Sequence, residues 1–179
     1  MSTVADDIWA ILRELAESQK ETDKKFQETD LKIKEVTQSI GKLGNRLGDF
    51  IEDALRPSVV RLFQQRGIDV HEVHQNIKSN RGDEGLEIDL LVVNNHEIVA
   101  VECKSNLSVD DVNDHLERLA KLKRLLPSYT DKRVLGAVAS MAIADNVAQY
   151  AYRKGLYLIG QSGDHLEIRN PEHFVAKIW

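Results

Sequence analysis

The chain has 179 residues, enough for one ordinary domain plus an extension, and its 42% hydrophobic residues can supply a core. Its formal charge of −5 excludes a generally basic protein that coats nucleic acid. No apolar run approaches the ~18 residues that cross a bilayer, and the single cysteine, Cys103, excludes an internal disulfide framework and suits a reducing cytoplasm.

The opening "MSTVADDIW" lacks a basic segment followed by an apolar stretch, so no secretion signal is expected. A heptad array then begins. With d at Ile8, Leu15, Thr22, Thr29, Val36, Leu43 and Phe50, position a falls at Leu12, Gln19, Phe26, Ile33, Ile40 and Leu47. The 4-3 spacing does not slip, which is a coiled-coil signature. Lys25 at g would meet Asp30 at e of a parallel partner, whereas an antiparallel pair would oppose like charges. Residues 1–47 are therefore expected to form an oligomerisation helix, with a parallel dimer favoured. The competing reading is a single amphipathic helix folded back on its own domain.

Gly41, Gly44 and Gly48 weaken helix propensity and mark a junction, so residues 48–179 are expected to form the second domain. "LGDFIEDALRPSVVRLFQQRG" is helical in period, with Ile51, Leu55, Val59, Leu62 and Phe63 on one stripe. Pro57 should kink it or start a new helix. Strands follow at 68–80 and 86–104, the latter folded around Asn94-Asn95 in a tight primed turn. "RGD" at 81–83 reads as a loop. Residues 108–126 return to a helical period, starting at Ser108 and Asp110–Asp111 and stopping before Pro127. Strand 133–140, a helix ending at Gly155, and a final hairpin around Ser162-Gly163-Asp164 complete the order. The expected class is α/β, a mixed sheet flanked by helices behind a long N-terminal coiled-coil helix.

"IVAVECKSN" (98–106) places two charges in an otherwise apolar strand. If Val93 pairs with His96, Glu87 faces Glu102. Alternation then puts Glu87, Asp89, Glu102 and Lys104 on one face. Ile88, Leu90, Val92, Val99, Val101 and Cys103 fall on the other. Three carboxylates so close repel unless protonated or neutralised. A hard divalent cation with oxygen ligands is one remedy; the plain alternative is a surface salt bridge from Lys104 to Glu102 or Glu87.

"EGLEIDLLVVNNHEIVAVECKSN" resembles the core of the PD-(D/E)XK, or restriction-endonuclease-like, nuclease superfamily. Asp89 matches the first acid of that signature, and Glu102 and Lys104 match the second element, with Cys103 between them. Ile88 stands where the motif's name has proline. The resemblance covers roughly residues 48–160 and leaves the coil outside. It implies a metal-dependent endonuclease, with DNA expected and RNA open. It also implies Mg²⁺ or Mn²⁺ held by Asp89, Glu102 and the Cys103 carbonyl, and Lys104 acting on the attacking water or the phosphate charge. Glu52 would be a further acid on the preceding helix, although ordinary helix surface explains it equally well.

Residues 115–133 carry six Lys/Arg against Glu117 and Asp131, a local net of +4. Lys121, Lys123, Arg124, Lys132 and Arg133 are candidate phosphate contacts, or simply a solvated face. His115 could approach the site, but a lone histidine is more often structural. His71 and His74 are poorly spaced for a shared metal. A buried Cys103 thiol would be inert as a nucleophile. The competing function is a catalytically inactive nuclease-fold module used for nucleic-acid binding or protein assembly.

Overall fold

The computed structural model describes residues 4–163 and 165–179, and the side chains of 8–41 and of 52–179 apart from residue 164. The chain divides into two compact units, Met1–Asn45 and Arg46–Trp179. Helix α1 (Val4–Gln64) includes Gly41, Gly44, Gly48 and Pro57 without interruption. The helix thus runs on through the glycines, which lie where the two units divide, and no new helix starts at Pro57. In the first unit Leu12, Leu15, Phe26, Ile33, Val36 and Ile40 are all exposed. The seam positions Leu43, Leu47 and Phe50 have side chains outside the described residues.

The second unit is α/β. Strands β1 (Glu72–Arg81), β2 (Glu84–Val93), β3 (Glu97–Leu107), β4 (Arg133–Ile143), β5 (Tyr157–Ser162) and β6 (His165–Ile168) lie side by side in chain order. The first three pair antiparallel. Helices α2 (Val109–Leu125) and α3 (Asp145–Arg153) are the crossovers that make β3, β4 and β5 parallel. The sheet is mixed because short turns serve its first half and helical crossovers its second.

Two apolar layers enclose the sheet. Leu55, Val59, Leu62 and Phe63 of α1 cover Leu90, Val92, Val99, Val101, Cys103 and Ala137 on one face. Fully burying side chains of this size contributes roughly 1.5–3 kcal/mol each. Val112, Leu119, Leu122 and Leu125 of α2 cover Leu91, Val93, Ile98 and Ala100 on the other. Ser108 starts α2 in a reciprocal cap with Asp111, satisfying two otherwise unpaired N–H groups. Gly136 gives α2 its close approach, since a Cβ there would lie 2.5 Å from a Leu119 methyl and 2.6 Å from a Leu156 methyl, and those side chains would have to shift.

Two expectations about the β2–β3 hairpin need correction. Asn94 pairs with Glu97 (N–O 2.9 Å), so Asn95-His96 forms the turn. The Asn94 side-chain oxygen accepts from the N–H groups of His96 and Glu97 at 2.7 and 2.6 Å. An Asx turn thus replaces the primed turn, and no positive φ is used there. The register moves by two residues, which leaves parity unchanged: Val93 pairs with Ile98 and Leu90 with Val101. The second correction concerns Ile88. It packs with Leu86 on the α2 face, whereas Leu90 and Val92 pack on the α1 face. Strict alternation fails at Asp89. The β1–β2 pairing skips one position, between Gln75–Leu90 and Ile77–Ile88, and the β1 residue there, Asn76, takes φ +51°. A left-handed residue breaks the pleat at that point, and asparagine tolerates it better than most.

Candidate active site

The pairing of β2 with β3 ends at Leu90 and Val101. Beyond it, β2 stays with β1 as far as Glu84, and β3 stays with β4 as far as Leu107. The sheet therefore forks between β2 and β3, leaving strand backbone without its neighbour. Asp89 and Glu102 stand on either side of the fork. Asp89 Oδ2 fills part of the gap by accepting from the Cys103 N–H at 2.7 Å. This bond favours the carboxylate. Burial and the Glu102 charge oppose it more strongly, and together push the Asp89 carboxyl up to about 6.

Glu102 is 1% exposed and points toward α2. Its Oε1 lies 2.8 Å from Lys104 Nζ, and its Oε2 accepts from the Arg118 guanidinium. A buried carboxylate costs several kcal/mol unless paired, and two cations offset that cost here. Burial lowers the Lys104 pKa, but the hydrogen bond and charge of Glu102 outweigh it and raise the net value. The ammonium form is therefore favoured. Burial opposes the Arg118 charge too, and the same glutamate again outweighs it.

His115 is wholly buried behind this group. Its Nδ1 is 4.0 Å from Glu102 Oε2, and its Nε2 is 3.2 Å from the Ala100 carbonyl. Nε2 must carry the proton to donate to that carbonyl, which leaves Nδ1 as a bare lone pair. Nδ1 is the buried side-chain atom without a hydrogen-bond partner among the described residues. Burial drives the His115 pKa down to about 4, so the ring is neutral at pH 7.

The structure thus brings Asp89, Glu102 and Lys104 to one fork. Glu52 is buried on α1, and its charge is felt by the Cys103 thiol on the α1 face. Burial chiefly pushes that thiol's pKa up, as expected for an inert cysteine. Glu87 is not in the group: it is exposed, pairs in register with Lys78 and forms a 2.8 Å ion pair with it. Among the described residues, no three or more His, Cys, Asp or Glu side chains stand ready-made around one ion. Two carboxylates at a fork nevertheless form a hard-oxygen donor set of the kind Mg²⁺ takes when phosphate and water complete its shell.

Arg118 is not singled out by the sequence, where it contributes only to the local charge. Its helical spacing was the available signal, because Arg118 is i+3 from His115 on α2. Three candidate phosphate contacts are already used within the protein. Arg124 forks onto Glu84, Arg133 pairs with Glu97 at 2.8 Å, and Lys132 Nζ donates to the Asn95 carbonyl at 2.8 Å.

A family described as "Protein of unknown function (DUF3782)" matches residues 10–79, a segment that includes Glu52 but not Asp89, Glu102 or Lys104. No curated protein matches. A solved structure titled "Protein of Unknown Function AF1548" is 18% identical, with 60% of this chain and 56% of that chain covered, at a TM-score of 0.41. A repair endonuclease from Pyrococcus abyssi is 14% identical, with 59% and 45% covered, at a TM-score of 0.38. The chain thus spans about half the length of the two solved structures, and at TM-scores below 0.5 neither likeness bears on function.

Proposed function

We propose that the protein is a metal-dependent endonuclease that hydrolyses phosphodiester bonds in DNA and works as a coiled-coil homo-oligomer. The observation that carries this reading is the meeting of Asp89, Glu102 and Lys104 at the β2–β3 fork. Asp89 and Glu102 would hold Mg²⁺ or Mn²⁺. The Cys103 carbonyl, which leaves its strand on the same edge as the N–H bound to Asp89, would join them. A bound divalent cation would neutralise phosphate charge and acidify a water.

The remaining work falls to the chain's own residues. Lys104, favoured as the ammonium, is suited to stabilising charge that develops on the phosphate rather than to abstracting a proton. Apolar layers back the sheet on both of its faces. Glu52 approaches from the α1 side as a further acid. For the first unit, the exposed stripe from Leu12 to Ile40 favours a second copy of this chain. Lys25 holds Glu21 at 2.8 Å within its own helix, and Asp30 of a parallel copy would offer it a second carboxylate.

The test is to incubate the full chain with supercoiled, linear and branched DNA in Mg²⁺, Mn²⁺ or EDTA, beside Lys104→Ala. Cleavage is expected only with metal and with Lys104. Cleavage that survives EDTA or the substitution would sink the mechanism. A second reading has its own support: both Glu102 oxygens are already held by cations, as in a structural ion cluster. That favours an inactive nuclease-fold module for nucleic-acid binding or assembly, and the absence of cleavage on every substrate would select it.

A further inference from the structure

We infer that Arg118 competes with the divalent cation for Glu102, so that cation binding and substrate binding are coupled through this one guanidinium. The inference rests on the nuclease reading and adds a residue to its site. Glu102 has two oxygens, and each has one cationic partner: Lys104 on Oε1 and Arg118 on Oε2. A divalent ion needs at least one of those oxygens. The geometry around Oε2 decides which partner is displaced. The other group beside Oε2 is His115 Nδ1, a bare lone pair at 4.0 Å that repels rather than holds the carboxylate. Arg118 is therefore the donor that keeps Oε2 in place when no ion does.

Arg118 also has somewhere to go. Its side chain rises from α2 and is 27% exposed, so the guanidinium has a path outward to solvent. Its bond to Glu102 Oε2 holds it at the fork, where the nuclease reading would bring a phosphate. A planar guanidinium exchanges a carboxylate for a phosphate at little geometric cost, since both accept its forked donors. Lys104 cannot substitute in this role, because an ammonium lacks that fork. The exchange breaks one ion pair and forms two: the cation takes Glu102 Oε2, and Arg118 takes a phosphate oxygen.

Arg118 is thus a positioning residue for Glu102 and a specificity element for phosphate. The experiment measures Mn²⁺ affinity by calorimetry on full-length wild type, Arg118→Gln and Arg118→Lys. Each is measured without and with a DNA duplex whose linkages are phosphonates, with a methylene in place of a bridging oxygen, so that the charge is kept and the P–C bond is not hydrolysed. Without DNA, Arg118→Gln is expected to bind Mn²⁺ about tenfold more tightly than wild type, with Arg118→Lys between them. Adding DNA should tighten Mn²⁺ binding to wild type severalfold and leave Arg118→Gln unchanged. If Arg118→Gln does not fold without metal, Arg118→Lys carries the comparison. Unchanged or weaker Mn²⁺ binding in the variants that fold would overturn the competition, while leaving the nuclease reading intact. No Mn²⁺ binding to wild type, with or without DNA, would overturn both.

Discussion

The Asp89 carboxylate reaches across from β2 to the backbone N–H of Cys103 on β3, at 2.7 Å, where the two strands part. It closes the fork and occupies the ground between the strands. Burial and the charge of Glu102 make it reluctant to ionise, with a pKa near 6 against an ordinary 3.8. His115, wholly buried nearby, is reluctant to protonate, with a pKa near 4 against 6.5.

These two groups should give the protein opposing pH responses. A raised Asp89 pKa contributes stability that is present below 3.8 and is lost as pH rises through 6. A lowered His115 pKa removes stability as pH falls from 6.5 toward 4. Between pH 4 and 6 they offset one another. Asp89→Asn should therefore raise the melting temperature at pH 7 and steepen its fall below pH 6. The upper bound is ~3 kcal/mol, from about two pK units, less after solvent screening. Thermal melts from pH 4 to 8 test this, and an unchanged pH slope in the variant would refute it.

Divalent cation should stabilise the fold through the same carboxylates. A ligand at ~100 times its Kd adds about 2.7 kcal/mol to the folded state. Mn²⁺ should raise the melting temperature of wild type, EDTA should reverse the rise, and Asp89→Asn and Glu102→Gln should abolish it. A shift of equal size in Glu102→Gln would place the ion elsewhere.

Nucleic-acid contacts should divide along the ion pairs. Arg124 is already forked onto Glu84, whereas Lys121 makes no ion pair among the described residues. Lys121→Ala should weaken DNA binding and reduce the slope of log K against log salt by about one. Arg124→Ala should leave that slope nearly unchanged. Binding isotherms across a salt series distinguish the two, and equal effects would contradict the assignment.

The exposed stripe on the first unit should set the oligomeric state. Phe26 is 66% and Ile33 59% exposed within a single chain. Placing Glu at both positions removes two apolar knobs and adds like charges across a parallel seam. Light scattering should show a multiple of 20.3 kDa for wild type and the single-chain mass for the double variant. Wild type at 20.3 kDa in micromolar solution would reject the oligomer.

Much of this molecule follows from local chemistry read along the chain. Period 3.6 marked Val112 to Leu125 as a helix, and Ser108 with Asp111 marked its start. Apolar runs marked β3 and β4, and the two-residue side-chain period set Val99, Val101 and Cys103 on one side of β3. On β3 that alternation is unaffected by the change of register, because a shift of two is even. Other features depended on neighbours that no linear pattern names. Asn94 uses its own side chain to move the turn, and the faces of β2 change between Ile88 and Leu90, next to the left-handed Asn76 of β1. Glu87 met Lys78, and Glu102 met Arg118 on a helix 16 residues on, only because the sheet and its crossover brought them within reach. Alternation and period are dictated by the backbone of one segment, whereas an ion pair is decided by where two segments end up. The residues of the candidate site were therefore legible from the strands that carry them, but the partners holding Glu102 were decided by packing α2 on the sheet.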